Sequence, residues 1–322
     1  NSDEGGVQIH YGEPGGIQLA GEHLFHSGAN ANIPDPPGTY DALGASLAAG
    51  DFDGDGYDDL AIGAPQFYNF GDPMPIEGGA VVVLHGGVGG LMPVVGYLIH
   101  QDDPPVPDAG ENLDDFGWAL AAGNFNGDFR FAPGGGIYPI DDLAMSAPGE
   151  DGIGAVMVML GSEFGLIFSN SVYLGAGDVG GVGEAGDRFG ESLAVGNFDG
   201  DVSCFPFIFC TGVDDLAIGA PFADLGAGNA IADAGEITVV YGVINGFFDL
   251  ARTDHLTQGS IFGPASDQSG DRFGQALAAG DFDGDGREDL AGVDRGGVTI
   301  LMGGLGGLYD RFRFLATGVG GL

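Results

Sequence analysis

The sequence predicts an all-β protein, a β-propeller built from four-stranded antiparallel blades, and three observations carry that prediction. One phrase recurs four times along the chain, two further apolar stretches follow each recurrence, and glycine supplies 66 of the 322 residues, far above the usual ~7%. Four short strands cannot bury both their faces alone, so such units stack on their neighbours around an axis. A parallel β-helix is the alternative architecture, but its rungs are shorter and more uniform than these spacings.

The recurring phrase supplies the first two strands of each unit. It reads LGASLAAGDFDGDGYDDLAIGAP from Leu43, FGWALAAGNFNGDF from Phe116, FGESLAVGNFDGD from Phe189 and FGQALAAGDFDGDGREDLAGV from Phe273. The glycine at its second position falls at Gly44, Gly117, Gly190 and Gly274, in steps of 73, 73 and 84 residues. Third strands follow at Gly79 to Gly86, Gly154 to Gly161, Gly235 to Gly242 and Gly297 to Gly303, each an apolar run between glycines. Fourth strands open after Gly90-Leu91, Gly165-Leu166, Gly246-Phe247 and Gly307-Leu308. Four blades are thus expected over residues 32–322, at about 43–115, 116–188, 189–272 and 273–322, all in one propeller domain. Residues 1–31 match only the third and fourth strands of another blade, through Gly6 to Gly12 and a stretch from Ile17 to Phe25. The chain therefore reads as four complete blades plus two strands, a trimmed product or a piece of a larger propeller, or else one with an unusual closure or one completed by a second chain.

Charge narrows the partners. A formal charge of -39, from 47 acidic and 8 basic side chains, repels phosphate backbones and anionic lipid, so nucleic acid and membrane surfaces are excluded as default partners. Every basic residue is an arginine, which removes mechanisms that need a Schiff-base or P-loop lysine. No apolar run approaches the roughly 18 residues of a membrane span, and the 44% hydrophobic content is enough for a folded core.

The acidity is concentrated where it can hold a cation. Between the first two strands lie Asp51-Phe-Asp53-Gly-Asp55-Gly-Tyr57-Asp58-Asp59 and Asp281-Phe-Asp283-Gly-Asp285-Gly-Arg287-Glu288-Asp289. Carboxylates at alternate positions repel one another unless a hard cation lies among them, and calcium takes six to eight oxygens in flexible geometry. The expected ligands are Asp51, Asp53, Asp55 and Asp59, with the Tyr57 backbone carbonyl, and Asp281, Asp283, Asp285 and Asp289, with that of Arg287. An EF-hand is excluded, because its twelfth position needs glutamate and here holds Ile62 or Gly292. The second and third copies run Asn124, Asn126, Asp128, Asp142 and Asn197, Asp199, Asp201, Asp215, each spanning 18 residues against 8 in the first copy. These read as calcium sites carrying a ten-residue excursion, weaker because asparagine offers an oxygen without charge. Cys204 and Cys210 sit inside the third excursion; a local disulfide is expected there, and with it an oxidising compartment.

These residues resemble the FG-GAP repeat, found in the integrin alpha-subunit propeller and in many secreted bacterial proteins. Phe116-Gly117 and Gly219-Ala220-Pro221 carry the FG and the GAP, and the likeness covers roughly residues 43 to 322. The resemblance implies a propeller blade per repeat, usually seven to a ring, with calcium in the loop between the first two strands. Departures are Leu43 for the first Phe, Ser146 for the first Gly of GAP, Gly292-Val293 in the fourth copy, and the two excursions.

The function expected is a calcium-binding, secreted or cell-surface adhesion module for a protein or glycan ligand. A structural subunit of a filament or surface layer, pairing with identical subunits, is the alternative; a polysaccharide lyase or phospholipase is a third reading, and no catalytic constellation is assigned. The face opposite the calcium loops is the expected partner surface, with Phe67, Tyr68 and Phe70 as candidate anchors.

Overall fold

The computed structural model describes residues 5–13, 16–17, 23–25, 42–67, 78–101, 103, 110–111, 113–131, 135–205 and 209–315. It is an all-β structure containing four four-stranded antiparallel sheets, each a meander in chain order. Sheet I comprises Leu47–Gly50, Asp59–Ala64, Ala80–His85 and Met92–Ile99. Sheet II comprises Leu120–Gly123, Asp142–Ala147, Ala155–Leu160 and Ile167–Gly175. Sheet III comprises Ser192–Gly196, Asp215–Ala220, Glu236–Gly242 and Phe248–Leu256, and sheet IV Ala276–Gly280, Asp289–Asp294, Gly297–Met302 and Tyr309–Leu315. In all four, the pairing of third with fourth strand is broken by an irregularity near its start, at Leu84/His85, Val158/Leu160, Val240/Gly242 and Leu301/Met302.

The second and third strands are near-continuous apolar runs because both their faces are covered. In sheet I every residue of Asp59–Ala64 and Ala80–His85 is buried. The core accordingly lies between sheets rather than within them. Val81 and Val83 of sheet I, with Phe52 of its first loop, pack with Leu143, Met145 and Met159 of sheet II, and Val156 and Leu174 of sheet II with Leu216 and Ile218 of sheet III. Ala217, Ile237 and Val239 of sheet III pack with Leu290 and Leu301 of sheet IV.

First strands read Leu-Ala-Ala-Gly or close to it because they lie against one another, I on II, II on III and III on IV. At the end of the sheet II strand, a Cβ on Gly123 would sit 2.3 Å from Val195 Cγ1 of sheet III. Small side chains are what this approach tolerates.

One junction recurs between units. The residue before each repeat phrase is left-handed, at Ala42, Asp115, Arg188 and Arg272, with φ of 52°, 57°, 54° and 55°. The opening Leu or Phe then lies against the glycine that starts the preceding third strand. Added Cβ atoms on Gly5, Gly79, Gly154 and Gly235 would come within 2.2–2.4 Å of backbone atoms of Leu43, Phe116, Phe189 and Phe273. The N-terminal residues join in the same way: Val7–Ile9 pairs with His23–Phe25, Gly5 bridges Leu43, and Val7 packs with Leu43, Leu60 and Ile62.

Both excursions are β-hairpins, Phe129–Phe131 with Ile137–Pro139 and Val202–Phe205 with Phe209–Gly212. Cys204 stands directly opposite Cys210, and the two form a disulfide. The expected anchor Phe67 requires correction. It is only 6% exposed and packs in the core beside Ala64 and Val82, because the chain turns straight back after the second strand. Tyr68 and Phe70 lie outside the described residues.

The junction makes a graded test. Gly154→Ala adds both a left-handed φ of 105° and a clash with the Phe189 carbonyl, whereas Gly152→Ala, at φ 72°, meets nothing within 4 Å. The first variant is expected to lose more than about 2 kcal/mol and the second about 1 kcal/mol, read by denaturant unfolding.

Candidate metal centre

Glycine and aspartate alternate in the first loop so that backbone and carboxylates satisfy each other in a tight turn. Asp51 accepts Asp55 N–H at 3.0 Å and Gly56 N–H at 2.8 Å, Asp53 accepts Asp55 N–H at 3.0 Å, and Asp55 accepts Tyr57 N–H at 2.9 Å. Carboxylate oxygens of Asp51, Asp53 and Asp55 gather within 4.8 Å of one another, and so do those of Asp281, Asp283 and Asp285 in the fourth loop. Burial pushes Asp51 up to about 6 and raises Asp53, with neighbouring carboxylates adding to both. Three hard oxygen donors crowded together are a donor set that fits calcium, partly desolvated in the first loop and exposed in the fourth.

The ninth-position aspartate has a different place. Asp59 stands outside that triplet and accepts Phe52 N–H at 3.0 Å and Gly86 N–H at 2.7 Å, one on each oxygen. Asp142 does the same with Phe125 and Gly161, Asp215 with Phe198 and Gly242, and Asp289 with Phe282 and Gly303. All four are buried, and burial pushes Asp215 up to about 8 and Asp142 well above the carboxylate range. Each ties its loop to the end of the third strand. His85, in the slot that Tyr241 fills in sheet III, lies 3.4 Å from Asp59 Oδ1.

The middle loops meet their carboxylates by other means. In the second, Asn124 Nδ2 donates to the Asp128 carbonyl and Asn126 Nδ2 to Asp128 Oδ2, at 2.8 and 3.1 Å. In the third, Asn197 Nδ2 donates to the Asp201 carbonyl at 2.6 Å, and Arg252 Nη1 donates to Asp199 Oδ2 at 2.6 Å. Arg252 comes from the fourth strand of sheet III and lies over the Tyr241 ring, 3.8 Å from its centroid. Amide and guanidinium donors thus occupy Asp128 Oδ2 and Asp199 Oδ2, which the expected ligand sets needed, as Arg287 Nη1 occupies Asp285 Oδ2 in the fourth loop; the middle two loops also hold fewer carboxylates, and so fit calcium less well than the first and fourth.

The next unit covers each of the first three loops. Asp51, Asn124 and Asn197 donate their N–H to Asp141 Oδ2, Asp214 Oδ2 and Glu288 Oε2, at 3.0, 2.8 and 2.7 Å. The excursion hairpins act as covers. Arg130 Nη1 donates to the Asp53 carbonyl at 2.9 Å and Tyr138 packs on Gly56, while Ser203 packs on Gly127 of the second loop. Phe52, Phe125 and Phe198 are accordingly 0% exposed, whereas Phe282 in the fourth loop is 51% exposed. Arg287 pairs with Asp285 at 2.9 Å, both partly exposed, and its side chain packs on Gly200 of the third loop.

Sequence reasoning missed Arg252, the clamping acids Asp141, Asp214 and Glu288, and the covering role of the hairpins. An acid immediately before each ninth-position aspartate was a readable signal for the clamps; nothing in the spacing marks Arg252.

Two expectations follow. Asp142→Ala strands two buried N–H groups and is expected to cost about 2–5 kcal/mol with or without calcium, whereas Asp53→Asn lowers calcium affinity and leaves metal-free stability nearly unchanged; chemical unfolding and calcium titration separate them. In calcium-stripped protein, Asp51 and Asp128, both raised by burial to about 6, bind protons more tightly folded than unfolded. Stability therefore rises as pH falls from about 7 toward 5, and the gain shrinks in calcium, which replaces the proton at Asp51. Melting midpoints at pH 5.5 and 7.5, with and without the ion, check this.

The FG-GAP repeat family matches residues 43–84 and 273–301, the stretches that hold the first and fourth loops. The chain is 31% identical over 227 residues to integrin alpha-PS2 of Drosophila melanogaster, covering 66% of this chain and 14% of that protein. It is 26% identical over 270 residues to integrin alpha pat-2 of Caenorhabditis briggsae, covering 78% and 18%. Similarity also extends to phosphatidylinositol-glycan-specific phospholipase D of Homo sapiens, 28% identical over 215 residues, covering 65% and 22%. The chain spans less than a quarter of the length of each of these relatives. With the acidic loops and the recurring sheets in place, the chain carries the FG-GAP repeat at residues 43–84 and 273–301.

Proposed function

We propose that this chain forms part of a calcium-binding extracellular β-propeller that serves as an adhesion module for a protein or glycan ligand. The observation that carries the reading is the pair of carboxylate triplets, Asp51, Asp53, Asp55 and Asp281, Asp283, Asp285. Calcium there supplies the positive charge that such crowded carboxylates lack. Support for the propeller comes from the meander of each sheet, the stacking of first strands, and a core that lies between sheets. In that arrangement residues 43–315 supply four blades and the N-terminal hairpin two strands of another. The disulfide supports an oxidising, extracellular setting.

In this reading the ion in the first loop locks a turn that the following unit already grips, so that calcium there stiffens the junction and, through it, the opposite face. We place calcium in the first and fourth loops; the Asn124 and Asn126 amides and Arg252 serve the middle two. The similarity to a phospholipase D covers only 22% of that protein, which favours shared repeats over shared catalysis.

With a dissociation constant of about 10 μM and 1 mM calcium, each site adds about 2.7 kcal/mol. Thermal melts are expected to shift upward with calcium and equilibrium dialysis to count two ions per chain. Identical midpoints in calcium and EGTA at pH 7.5 overturn the reading.

A further inference from the structure

The chain has eight arginines, and four of them have polar partners among the described residues. Arg188 pairs with Glu191 and Asp115, Arg252 with Asp199 and Arg287 with Asp285; Arg130 donates to the Asp53 carbonyl. Two differ. Arg272 lies over the Phe222 ring, 4.6 Å from its centroid, and among the described residues neither Arg272 nor Arg295 forms an ion pair, in a chain with 47 acidic side chains. Both line one cavity of about 470 Å³, together with Asp233, Gly270 and Gln275.

The repeat supplies an internal comparison. Arg188 and Arg272 hold the same position, immediately before the FG phenylalanine, with φ of 54° and 55°. Three residues on, Arg188 meets Glu191, at 2.5 Å. The corresponding residue after Arg272 is Gln275, an uncharged amide, so among the described residues this guanidinium forms no ion pair. Its walls are fixed. Arg272 N–H donates to the Asp233 carbonyl at 3.1 Å, Gly270 N–H to the Ala232 carbonyl at 2.9 Å and Arg295 N–H to the Asp271 carbonyl at 2.7 Å. These bonds stitch the loop between the second and third strands of sheet III to the segment entering sheet IV and to the turn between its second and third strands. By strand alternation all three lie at the end opposite the acidic loops.

We propose that this cavity binds a hydroxylated carboxylate, a uronic-acid unit of a glycan. Two guanidinium groups recognise a carboxylate through paired, charge-assisted hydrogen bonds. The Gln275 amide donates and accepts, and the Asp233 carboxylate accepts, which suits ring hydroxyls rather than a second acid. The volume is that of a small-ligand pocket. A chain of formal charge -39 repels a polyanion at long range, so the favoured ligand carries isolated carboxylates on an otherwise neutral body. The inference rests on the adhesion-module reading and names the ligand class for its binding face.

The test titrates calcium-loaded protein with glucuronic acid, with glucose, and with the peptide Gly-Asp-Gly, followed by ligand-observed NMR. Glucuronic acid is expected to bind and glucose and the peptide not to. Arg295→Ala is expected to weaken binding about tenfold or more. Gln275→Glu recreates the Arg188 arrangement and is expected to abolish binding, with the melting midpoint and calcium count unchanged. Binding of glucose or the peptide as tight as that of glucuronic acid, no binding of glucuronic acid, or a Gln275→Glu variant that still binds it overturns the proposal. If calcium stabilisation persists in those cases, only the cavity assignment falls; loss of both sinks the broader reading.

Discussion

The structure depends on one buried carboxylate repeated four times. Asp59, Asp142, Asp215 and Asp289 each hold a loop N–H on one oxygen and an N–H from the end of the third strand on the other. A glycine-rich turn has no side-chain core of its own, and these two bonds give it a fixed floor. With the floor set, Phe52, Phe125 and Phe198 are placed for the next sheet to bury, and their carbonyls accept N–H groups of Ser162, Val243 and Gly304 from that next unit. Loop geometry and inter-sheet packing are therefore one system, which is why a chain so rich in glycine still holds continuous order across units.

Crowded carboxylates need positive charge or donated hydrogen bonds, and this chain meets the need in different ways at the same place in its repeat. The first and fourth loops keep three aspartates together; the second substitutes two asparagine amides, and the third draws in a guanidinium from its own fourth strand. Each substitution lowers the demand for a cation, because an amide removes one negative charge and an arginine cancels one. The hairpin inserted in units II and III, which lengthens its own loop, serves the loop before it: Tyr138 and Arg130 cover the first, Ser203 the second.

The same economy appears at the opposite end. Arg188 and Arg272 are equivalent in the repeat, yet one meets a glutamate and the other an amide at the third residue on. A repeat keeps its backbone junction while single side chains at equivalent positions change the charge that a loop cluster presents.

By itself the sequence determined the four sheets, their order of strands, the excursions as interruptions of a common loop, the disulfide pair and the two carboxylate triplets. All of these rest on local periodicity and short spacing: alternate aspartates converge because glycine lets a few residues turn, and Cys204 faces Cys210 across one hairpin. Tertiary structure alone decided the rest. The ninth-position aspartate, expected as a ligand, also accepts the N–H of Gly86, a strand end 27 residues later that only the fold brings beside it. Arg252 meets Asp199 across 53 residues, and Arg272 meets Arg295 only where two loops and a turn converge. Phe67 looks like an exposed aromatic in a polar stretch, yet the chain folds it under the sheet. Such pairings depend on register between strands and on the stacking of neighbouring sheets, and no local pattern encodes either.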